Sequence, residues 1–476
     1  MKFTVISHAG LYVEHNDGSV LIDPWIVGSC YWRSWWNFPE VSIDPESLKP
    51  QHIYLTHIHW DHFHGPSLKK FSRNTSILIP RDRYDRMKRD LNSMGFTNVR
   101  EIPDGSAYRL SEDFYLTPYL FGIFTDSAVV LSSRRVTMLN ANDCKILGRP
   151  LQRLLADHPK IDFVFRSHSS ANARLCHEYL DAPNEKLDDR ERYMSSFCHF
   201  IKATQPTHAV PFASNHCHLH KDTFRFNDWI VSPIDVMDYY EKYRLSNQLA
   251  ADLKIMLPGS QWDEDRGFDL VNPASFFDDR QSQIKEYRNR RTKTLSAFYA
   301  KEEKIGVTTK DMEKFFLPLF ADLNRLFRFP FRGKTIYIKS INPGGGKSWK
   351  LDLWRKTISE CDEAEFGNGN IQLIYPSLVL LWSLKLNMFS HAGISKRALY
   401  RAERRFMKFL IVFELYLKLR EYEYLPLRTV LSPRSLACWF RRWRELLVFG
   451  RVFYLRFLGR HSMVEIEQQL LAVKQK

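Results

Sequence analysis

The stretch Thr56-His57-Ile58-His59-Trp60-Asp61-His62-Phe63-His64-Gly65 decides how this sequence is interpreted. It directly follows a short apolar run that is typical of the end of a buried strand, so its polar side chains leave the strand at the carboxyl end and enter a loop. His57 and His59 are two residues apart and can point the same way, whereas Asp61 and His62 are adjacent and must point differently. Imidazoles and carboxylates are ligands for Zn, Fe or Mn. The stretch therefore predicts a site for one or two divalent metal ions, with these four residues as ligands.

The spacing H-x-H-x-D-H resembles the signature of the metallo-β-lactamase superfamily. Flanking sequence resembles, more narrowly, the metallo-β-lactamase-type part of CMP-N-acetylneuraminate hydroxylases, in the same order along roughly residues 1 to 270. The stretches that carry this resemblance are 22–28, 33–36, 65–70, 140–144 and 210–214. The resemblance implies an α/β fold, an αββα sandwich, for this part of the chain.

The resemblance also implies further metal ligands. Asp143 follows a predicted strand at the place where the family carries an acid that bridges two metals. A late histidine is expected after the strand that ends near Pro211, and three histidines follow it. Alignment from that strand favours His220, while proximity to the strand end favours His216, and the sequence does not choose between them.

One position departs from the family pattern. The family carries a further histidine just before the strand that begins at Asp126, and alignment places Gly122, or at best Phe121, at that position. Three interpretations follow. The site holds a single metal, or a dinuclear site is completed by His64, His168 or water, or catalytic competence has been lost.

Asp61 and His168 are the predicted catalytic residues. His168 follows a predicted buried strand at the edge of the sheet where the metal loop lies, so it is interpreted as a ligand, a proton carrier or a substrate contact. Two cations would lower the pKa of a bridging water towards neutrality and polarise the bond that the hydroxide attacks. This chemistry makes hydrolysis of an ester, amide or phosphoester the leading hypothesis.

Three functional hypotheses result. The first is a metal-dependent hydrolase acting on a polar, anionic substrate, with a sugar or sugar nucleotide implied by the resemblance. The second is an iron-dependent oxygenase of the hydroxylase type; it would need an external electron donor, because the 476 residues contain no Cys-x-His paired with Cys-x-x-His to hold a Rieske cluster. The third is a catalytically weakened scaffold that binds a substrate-like ligand or a membrane surface.

Length and composition predict more than one domain. A chain of 476 residues with 44% hydrophobic residues exceeds what one core usually supports. We expect a metal-binding domain over 1–270, a charged helical connector over 271–330 and a smaller basic domain, α+β or mostly helical, over 331–476.

The positive charge is concentrated in the C-terminal region. Residues 391–476 hold 18 Lys/Arg against 7 Asp/Glu, so they carry eleven of the fifteen net positive charges. A basic face attracts anions by its long-range field. The predicted partners are a small polar or anionic substrate and, peripherally, an anionic membrane; nucleic acid is the least favoured.

The compartment is predicted from cysteine usage and from the first residues. Seven cysteines without paired spacing suggest neither a disulfide framework nor a cysteine-based zinc site. The first residues form an alternating strand pattern and not an export signal. We therefore expect a cytoplasmic protein.

Overall fold

The computed structural model describes residues 1–169, 173–183, 185, 190–343, 345–457 and 463–471. The N-terminal part is rich in β-strands. They are β1 (Lys2–Val5), β2 (Leu11–His15), β3 (Gly18–Ile22), β4 (Ser29–Cys30), β5 (Trp35–Asn37), β6 (His52–Tyr54), β7 (Ser76–Pro80), β8 (Val99–Ile102), β9 (Tyr108–Ser111), β10 (Phe114–Phe121), β11 (Asp126–Ser132), β12 (Thr137–Asn142), β13 (Phe163–Ser167), β14 (His177–Tyr179), β15 (His208–Phe212), β16 (His216–His218), β17 (Asp252–Leu253), β18 (Gln261–Asp263) and β19 (Gly267–Asp269).

Two large sheets are formed from these strands. The first has the order β19-β18-β1-β2-β3-β6-β7-β8, and the second has the order β17-β15-β13-β12-β11-β10-β9. Their facing sides share one hydrophobic core, in which Phe3 of the first sheet packs edge-on against Phe163 and Phe165 of the second. The two sheets therefore form a sandwich whose centre is apolar.

The outer face of each sheet is covered by helices. The helices of this part are α1 (Gly65–Leu68), α2 (Arg86–Ser93), α3 (Gly148–Asp157), α4 (Arg190–Thr204) and α5 (Pro233–Asn247). Leu68 and Leu91 of α1 and α2 pack on the first sheet, and α3, α4 and α5 pack on the second. The observed architecture is the αββα sandwich that the resemblance predicted.

The chain continues through five helices into a second sheet-containing unit. The helices are α6 (Ala274–Phe277), α7 (Arg280–Arg290), α8 (Thr292–Glu302), α9 (Thr309–Asp322) and α10 (Arg325–Arg328). The strands that follow are β20 (Ile336–Ile341), β21 (Lys347–Asp352), β22 (Thr357–Cys361), β23 (Ile371–Pro376) and β24 (Leu399–Ala402). The later helices are α11 (Glu363–Gly367), α12 (Ser377–Leu386), α13 (Phe389–Ile394), α14 (Met407–Glu421), α15 (Pro433–Arg441), α16 (Trp443–Phe457) and α17 (Met463–Leu471).

This second unit is α+β, and it is interlocked with the sandwich. Its sheet has the order β14-β24-β23-β20-β21-β22. The strand β14, which precedes α4 in the chain, pairs in parallel with β24 through His177, Glu178 and Tyr179. One edge strand of the C-terminal sheet thus comes from the N-terminal part of the chain, and this pairing joins the two units.

One predicted helix is divided in two. The pattern of residues 439–458 predicts a continuous helix, but the structure ends α15 at Arg441 and begins α16 at Trp443; Leu458 lies outside the described residues. Arg442, between them, leaves helical geometry with φ −95° and ψ 17°. Its buried guanidinium turns inward to Glu445 Oε2 and to the carbonyl of Gly122. The tertiary contacts of one arginine override the local helical pattern here.

Among the described residues, no helix combines the length and the apolar character that crossing a bilayer requires. All seven cysteines are free thiols.

We predict that Arg442→Ala destabilises the fold. Removing one member of a buried ion pair leaves Glu445 uncompensated, which costs about 3–5 kcal/mol. The free energy of unfolding, measured by urea denaturation, should fall by an amount of this order. The neighbouring residue Arg441 is exposed and serves as the control. Arg441→Ala should change the free energy of unfolding by less than about 0.5 kcal/mol. Equal effects of the two substitutions would show that the Arg442 pair does not hold the structure together.

Candidate metal centre

A buried carboxylate, Asp23, organises the site from the end of β3. Its Oδ1 accepts the backbone N–H of Thr56 at 2.9 Å. Its Oδ2 lies 2.7 Å from the Thr56 hydroxyl, 2.7 Å from His62 Nδ1 and 2.8 Å from Asn142 Nδ2. Asp23 and Thr56 follow strands of the first sheet, and Asn142 ends a strand of the second. One side chain thus ties the histidine loop to both halves of the sandwich.

Three imidazoles of the loop are each held by one ring nitrogen. Nδ1 of His57 lies 3.0 Å from the Thr56 hydroxyl, Nδ1 of His62 bonds Asp23, and Nε2 of His59 lies 3.3 Å from the hydroxyl of Tyr422. Because the Thr56 hydroxyl donates to Asp23, it accepts from His57, so Nε2 of His57 keeps its lone pair. Histidines that bind metals are oriented in this way through the nitrogen that faces away from the ion.

The ring nitrogens that point into the cluster lie at distances from carboxylate oxygens that suit a bound cation. His62 Nε2 lies 3.4 Å from Asp61 Oδ2 and 3.6 Å from Asp143 Oδ2. His8 Nε2 lies 3.3 Å from the same Asp61 oxygen. Bonds of about 2.1 Å from a tetrahedral metal place its ligand atoms about 3.4 Å apart. His8, Asp61 and His62 therefore form a three-ligand group at metal-ligand spacing.

A second group lies beside the first. His57 Nε2 and His59 Nδ1 are 2.9 Å apart, and a carboxylate oxygen of Asp126 lies within 4.8 Å of a ring nitrogen of each histidine. Asp143 makes a further group with His57 and His62, so one carboxylate is within reach of both clusters. The donors are four imidazoles and three carboxylates, which suit Zn, Mn or Fe, and His62 Nε2 is buried without a hydrogen bond. The residues present fit one or two divalent ions.

Burial and neighbouring charges shift the pKa values of these residues in opposite directions. Burial lowers the pKa of His57 well below its usual value and that of His59 to about 4, so both imidazoles are neutral at pH 7. Burial alone would lower the pKa of His62, but Asp61 and Asp23 raise it well above its ordinary value. Burial and the neighbouring Asp143 raise the pKa of Asp126 to about 8. Carboxylates of the site thus lie close enough to repel one another, and a bound cation would neutralise their negative charge.

A cavity of about 300 Å³ opens onto the two groups. Its floor is formed by the metal-centre residues His59, Asp61, Asp126 and Asp143. The C-terminal unit covers it with residues of α13, of α14 and of the turn after α14: Phe389, Ser390, Gly393, Ile394, Leu417, Lys418 and Tyr422. The metal centre therefore lies between the two units of the chain and not on an open face of the sandwich.

The structure does not bring His220 to the cluster. Its imidazole is buried, and Nε2 lies 3.1 Å from Glu302 Oε2 on α8. His216 is closer: it stacks on Trp35 with ring centroids 3.6 Å apart, and its centroid is 5.5 Å from that of His8. Neither residue belongs to the ligand groups at metal-binding distance among the described residues, so their metal binding stays a prediction.

His168 lies near the centre without lining its cavity. Its backbone N–H donates to Ser214 Oγ at 3.0 Å, and its side chain is buried. Burial lowers its pKa to about 3, so the imidazole is neutral. The neighbouring residues Ser167 and Ser169 face the cavity. The structure gives His168 no contact with the cavity, and its catalytic role stays a prediction.

Sequence reasoning missed two candidate ligands, Asp126 and His8. In the sequence Asp126 marks only the start of a strand, and His8 follows β1, far from the histidine-rich stretch. Gly122 does not face the cluster: it has φ +94°, and its N–H donates to Glu445 Oε1 at 2.5 Å. Asp126, four residues later, lies where a third ligand beside His57 and His59 is needed. The signal available in the sequence was an acidic residue at the start of a strand next to the expected site.

Several known proteins are similar to parts of this chain. No family model matches it. A protein of Mycolicibacterium smegmatis, provisionally named a Rieske 2Fe-2S iron-sulfur protein, is 27% identical over 322 residues, which are 62% of this chain and 61% of that protein. Cytidine monophosphate-N-acetylneuraminic acid hydroxylase of Mus musculus is 26% identical over 152 residues, 30% of this chain and 26% of the hydroxylase. The chain thus spans less than two thirds of the length of these relatives.

Among solved structures, isothiocyanate hydrolase from Delia radicum gut bacteria superposes with a TM-score of 0.41 and 15% identity, over 55% of this chain and 99% of the hydrolase.

We predict that Asp126→Asn weakens the binding of one of two metal ions. The amide keeps the size of the side chain but removes the charge that neutralises the cation, so the affinity for that ion should fall at least tenfold. Calorimetric titration with Mn²⁺ measures this loss, and circular dichroism checks the fold. Asp265→Asn, an exposed acid far along the chain in the turn between β18 and β19, is the control and should bind like the parent protein. Unchanged Mn²⁺ binding in Asp126→Asn would remove this residue from the site.

The similarity to CMP-N-acetylneuraminate hydroxylases is confirmed over about a third of the chain, and the N-terminal part has the predicted αββα sandwich.

Proposed function

We propose that the chain is a metal-dependent oxygenase component that hydroxylates an anionic substrate. The observation that carries this proposal is the group His57, His59 and Asp126, because two imidazoles and one carboxylate with open positions are the ligand set of non-haem iron oxygenases. Asp61 and Asp143 make the whole centre richer in carboxylate than a zinc site built mainly on histidine. Iron held by these residues would supply the activation of molecular oxygen.

The relatives support the same chemistry. One is named for a Rieske cluster and another for the hydroxylation of a sugar nucleotide. Hydroxylation of a C–H bond by O₂ takes up two electrons and two protons and releases one water. The 476 residues lack the cysteine and histidine pairs that would hold a Rieske cluster. We therefore propose that an iron–sulfur centre outside these 476 residues donates the electrons one at a time.

The cavity favours an anionic substrate. Beyond the metal residues, its wall carries the basic residues Lys145, Arg166, Arg192 and Lys418 and the acids Glu414 and Glu467. Both acids have partners in the protein, since Glu414 lies 2.8 Å from His177 and Glu467 accepts from Ser196 at 2.5 Å. Two divalent ions would offset the three aspartates of the floor, so the remaining balance is positive. A phosphate or carboxylate of the substrate would bind at this basic wall.

The protein's own residues orient the centre. Tyr31 donates its hydroxyl to Asp61, which fixes that carboxylate beside His62. Tyr422, from the turn after α14, contacts the outer nitrogen of His59, and His391 packs its ring 5.4 Å from the ring of His59. These aromatic groups exclude bulk water from one side of the ligand cluster and hold the imidazoles in one orientation.

Hydrolysis is the second candidate, and Asp143 favours it. Its carboxylate is grouped with His57 and His62 and thus reaches both metal positions, as the activation of a water between two ions requires. A non-catalytic scaffold is less supported, because Asp126 supplies the ligand that Gly122 lacks.

The oxygenase proposal is tested with metal-loaded protein. The protein is loaded with Fe²⁺ in the absence of oxygen and freed of excess reductant. When it is mixed with oxygenated buffer it should consume O₂, and the Asp126→Asn variant should consume less. The measurement uses an oxygen electrode. Absence of O₂ uptake in the iron form, together with hydrolysis of bis-p-nitrophenyl phosphate by the zinc form, would replace the oxygenase by the hydrolase.

Lys145→Ala tests the anionic substrate. A hydrogen bond to a charged group contributes about 1.5–3 kcal/mol, so binding of CMP-N-acetylneuraminate as probe should weaken about tenfold to hundredfold. Calorimetry on the metal-loaded protein measures the affinity. Lys160→Ala, which removes an exposed lysine outside the cavity, is the control. Equal affinity for the probe in both variants would place the anion elsewhere.

A further inference from the structure

An apolar surface remains uncovered on the C-terminal helices α15 and α16 and on the turn before them. Nine large hydrophobic side chains are exposed within residues 427–454, although this segment is a small fraction of the chain. They are Leu427, Leu431, Leu436, Phe440, Trp443, Leu446, Leu447, Phe453 and Tyr454. We call these nine residues the apolar ridge. Large exposed apolar side chains concentrated in one segment are typical of a surface that contacts another phase or molecule.

The ridge is the outer face of helices whose inner face is well packed. Along α16, Glu445 and Val448 are buried, and Val452 and Leu455 are partly buried against them and against Leu147 near α3. These positions recur at three- and four-residue spacing and define one helical face. The exposed leucines and aromatic residues of α16 lie on the other face, so the helix is anchored to the protein by one side and presents an apolar side outward.

The segment that carries the ridge is strongly basic. Residues 427–455 contain six arginines and a single acid, Glu445. That acid is buried and paired with Arg442 at 2.8 Å, so it does not reach the surface. Arg428, Arg441 and Arg451 are exposed among the apolar side chains. Residues 427–455 therefore present leucine, phenylalanine, tryptophan and tyrosine together with exposed arginines.

We propose that the apolar ridge docks on the surface of an anionic lipid bilayer. The leucines and phenylalanines would enter the boundary between headgroups and acyl chains, Trp443 and Tyr454 would lie at the headgroup level, and the arginines would pair with lipid phosphates. No described helix is built to span a bilayer, so the contact is peripheral.

Charge complementarity selects this occupant over a second copy of the chain. A symmetric dimer through the ridge would set the same patch against itself and bring arginines of both copies together without an exposed carboxylate between them. A bilayer that contains phosphatidylserine supplies both the apolar layer and the missing negative charge. Nucleic acid would supply the charge but would leave the leucines without a partner.

The test is flotation of the full-length protein with vesicles of pure phosphatidylcholine or of phosphatidylcholine with about one third phosphatidylserine. We expect binding to the anionic vesicles only, weakened by salt. Phe440→Ser combined with Phe453→Ser should reduce it at least tenfold, because both side chains are more than half exposed in the monomer. Leu326→Ser combined with Phe329→Ser removes exposed apolar side chains elsewhere and should bind normally.

Arg428→Glu combined with Arg451→Glu reverses two charges beside the ridge and leaves its apolar side chains in place. This variant should also lose binding to the anionic vesicles. Sedimentation velocity without lipid measures self-association. Equal flotation of parent protein and ridge variants would overturn the proposal. Dimerisation that the Phe440 and Phe453 substitutions abolish, without flotation of the parent protein, would equally overturn it and assign the ridge to a second copy.

Discussion

The site depends on one buried carboxylate. Asp23 accepts hydrogen bonds from the backbone and hydroxyl of Thr56 and from Asn142, and it holds Nδ1 of His62. These contacts join the first sheet, the histidine loop and the second sheet at a single point. A carboxylate with no exposed surface costs free energy unless its oxygens are satisfied, so this arrangement tolerates little variation. The orientation of His62, and through Thr56 that of His57, follows from it.

The second constraint comes from the C-terminal unit. The loop that delivers Asp126 is clamped from outside the sandwich: Glu445 and Arg442 bind the backbone of Gly122, and Tyr424 donates to the carbonyl of Ile123. Tyr422 reaches the outer nitrogen of His59. The metal centre is therefore assembled by both units, and the pairing of β14 with β24 keeps them in register.

The part of the site that the sequence predicted is the part encoded locally. His57, His59, Asp61 and His62 share one loop after one strand, so their convergence follows from spacing alone, and the αββα sandwich followed from the resemblance. Asp126 and His8 reach the same place from other strands, which only the tertiary arrangement decides. The late histidines show a further limit: His220 follows the expected strand, yet its Nε2 lies 3.1 Å from a carboxylate of α8, a partner that spacing in the chain does not reveal. Similarly, the inward turn of Arg442 splits a helix whose local pattern is continuous.

The claim that two adjacent ligand groups bind two metal ions is tested most directly by anomalous scattering. A crystal of protein loaded with Fe²⁺ or Mn²⁺, measured at the absorption edge of that metal, should show two peaks. One peak should lie among His57, His59 and Asp126, and the other among His8, Asp61 and His62, with Asp143 between them. A single peak coordinated by His216 or His220, or no peak in this cluster, would contradict the account.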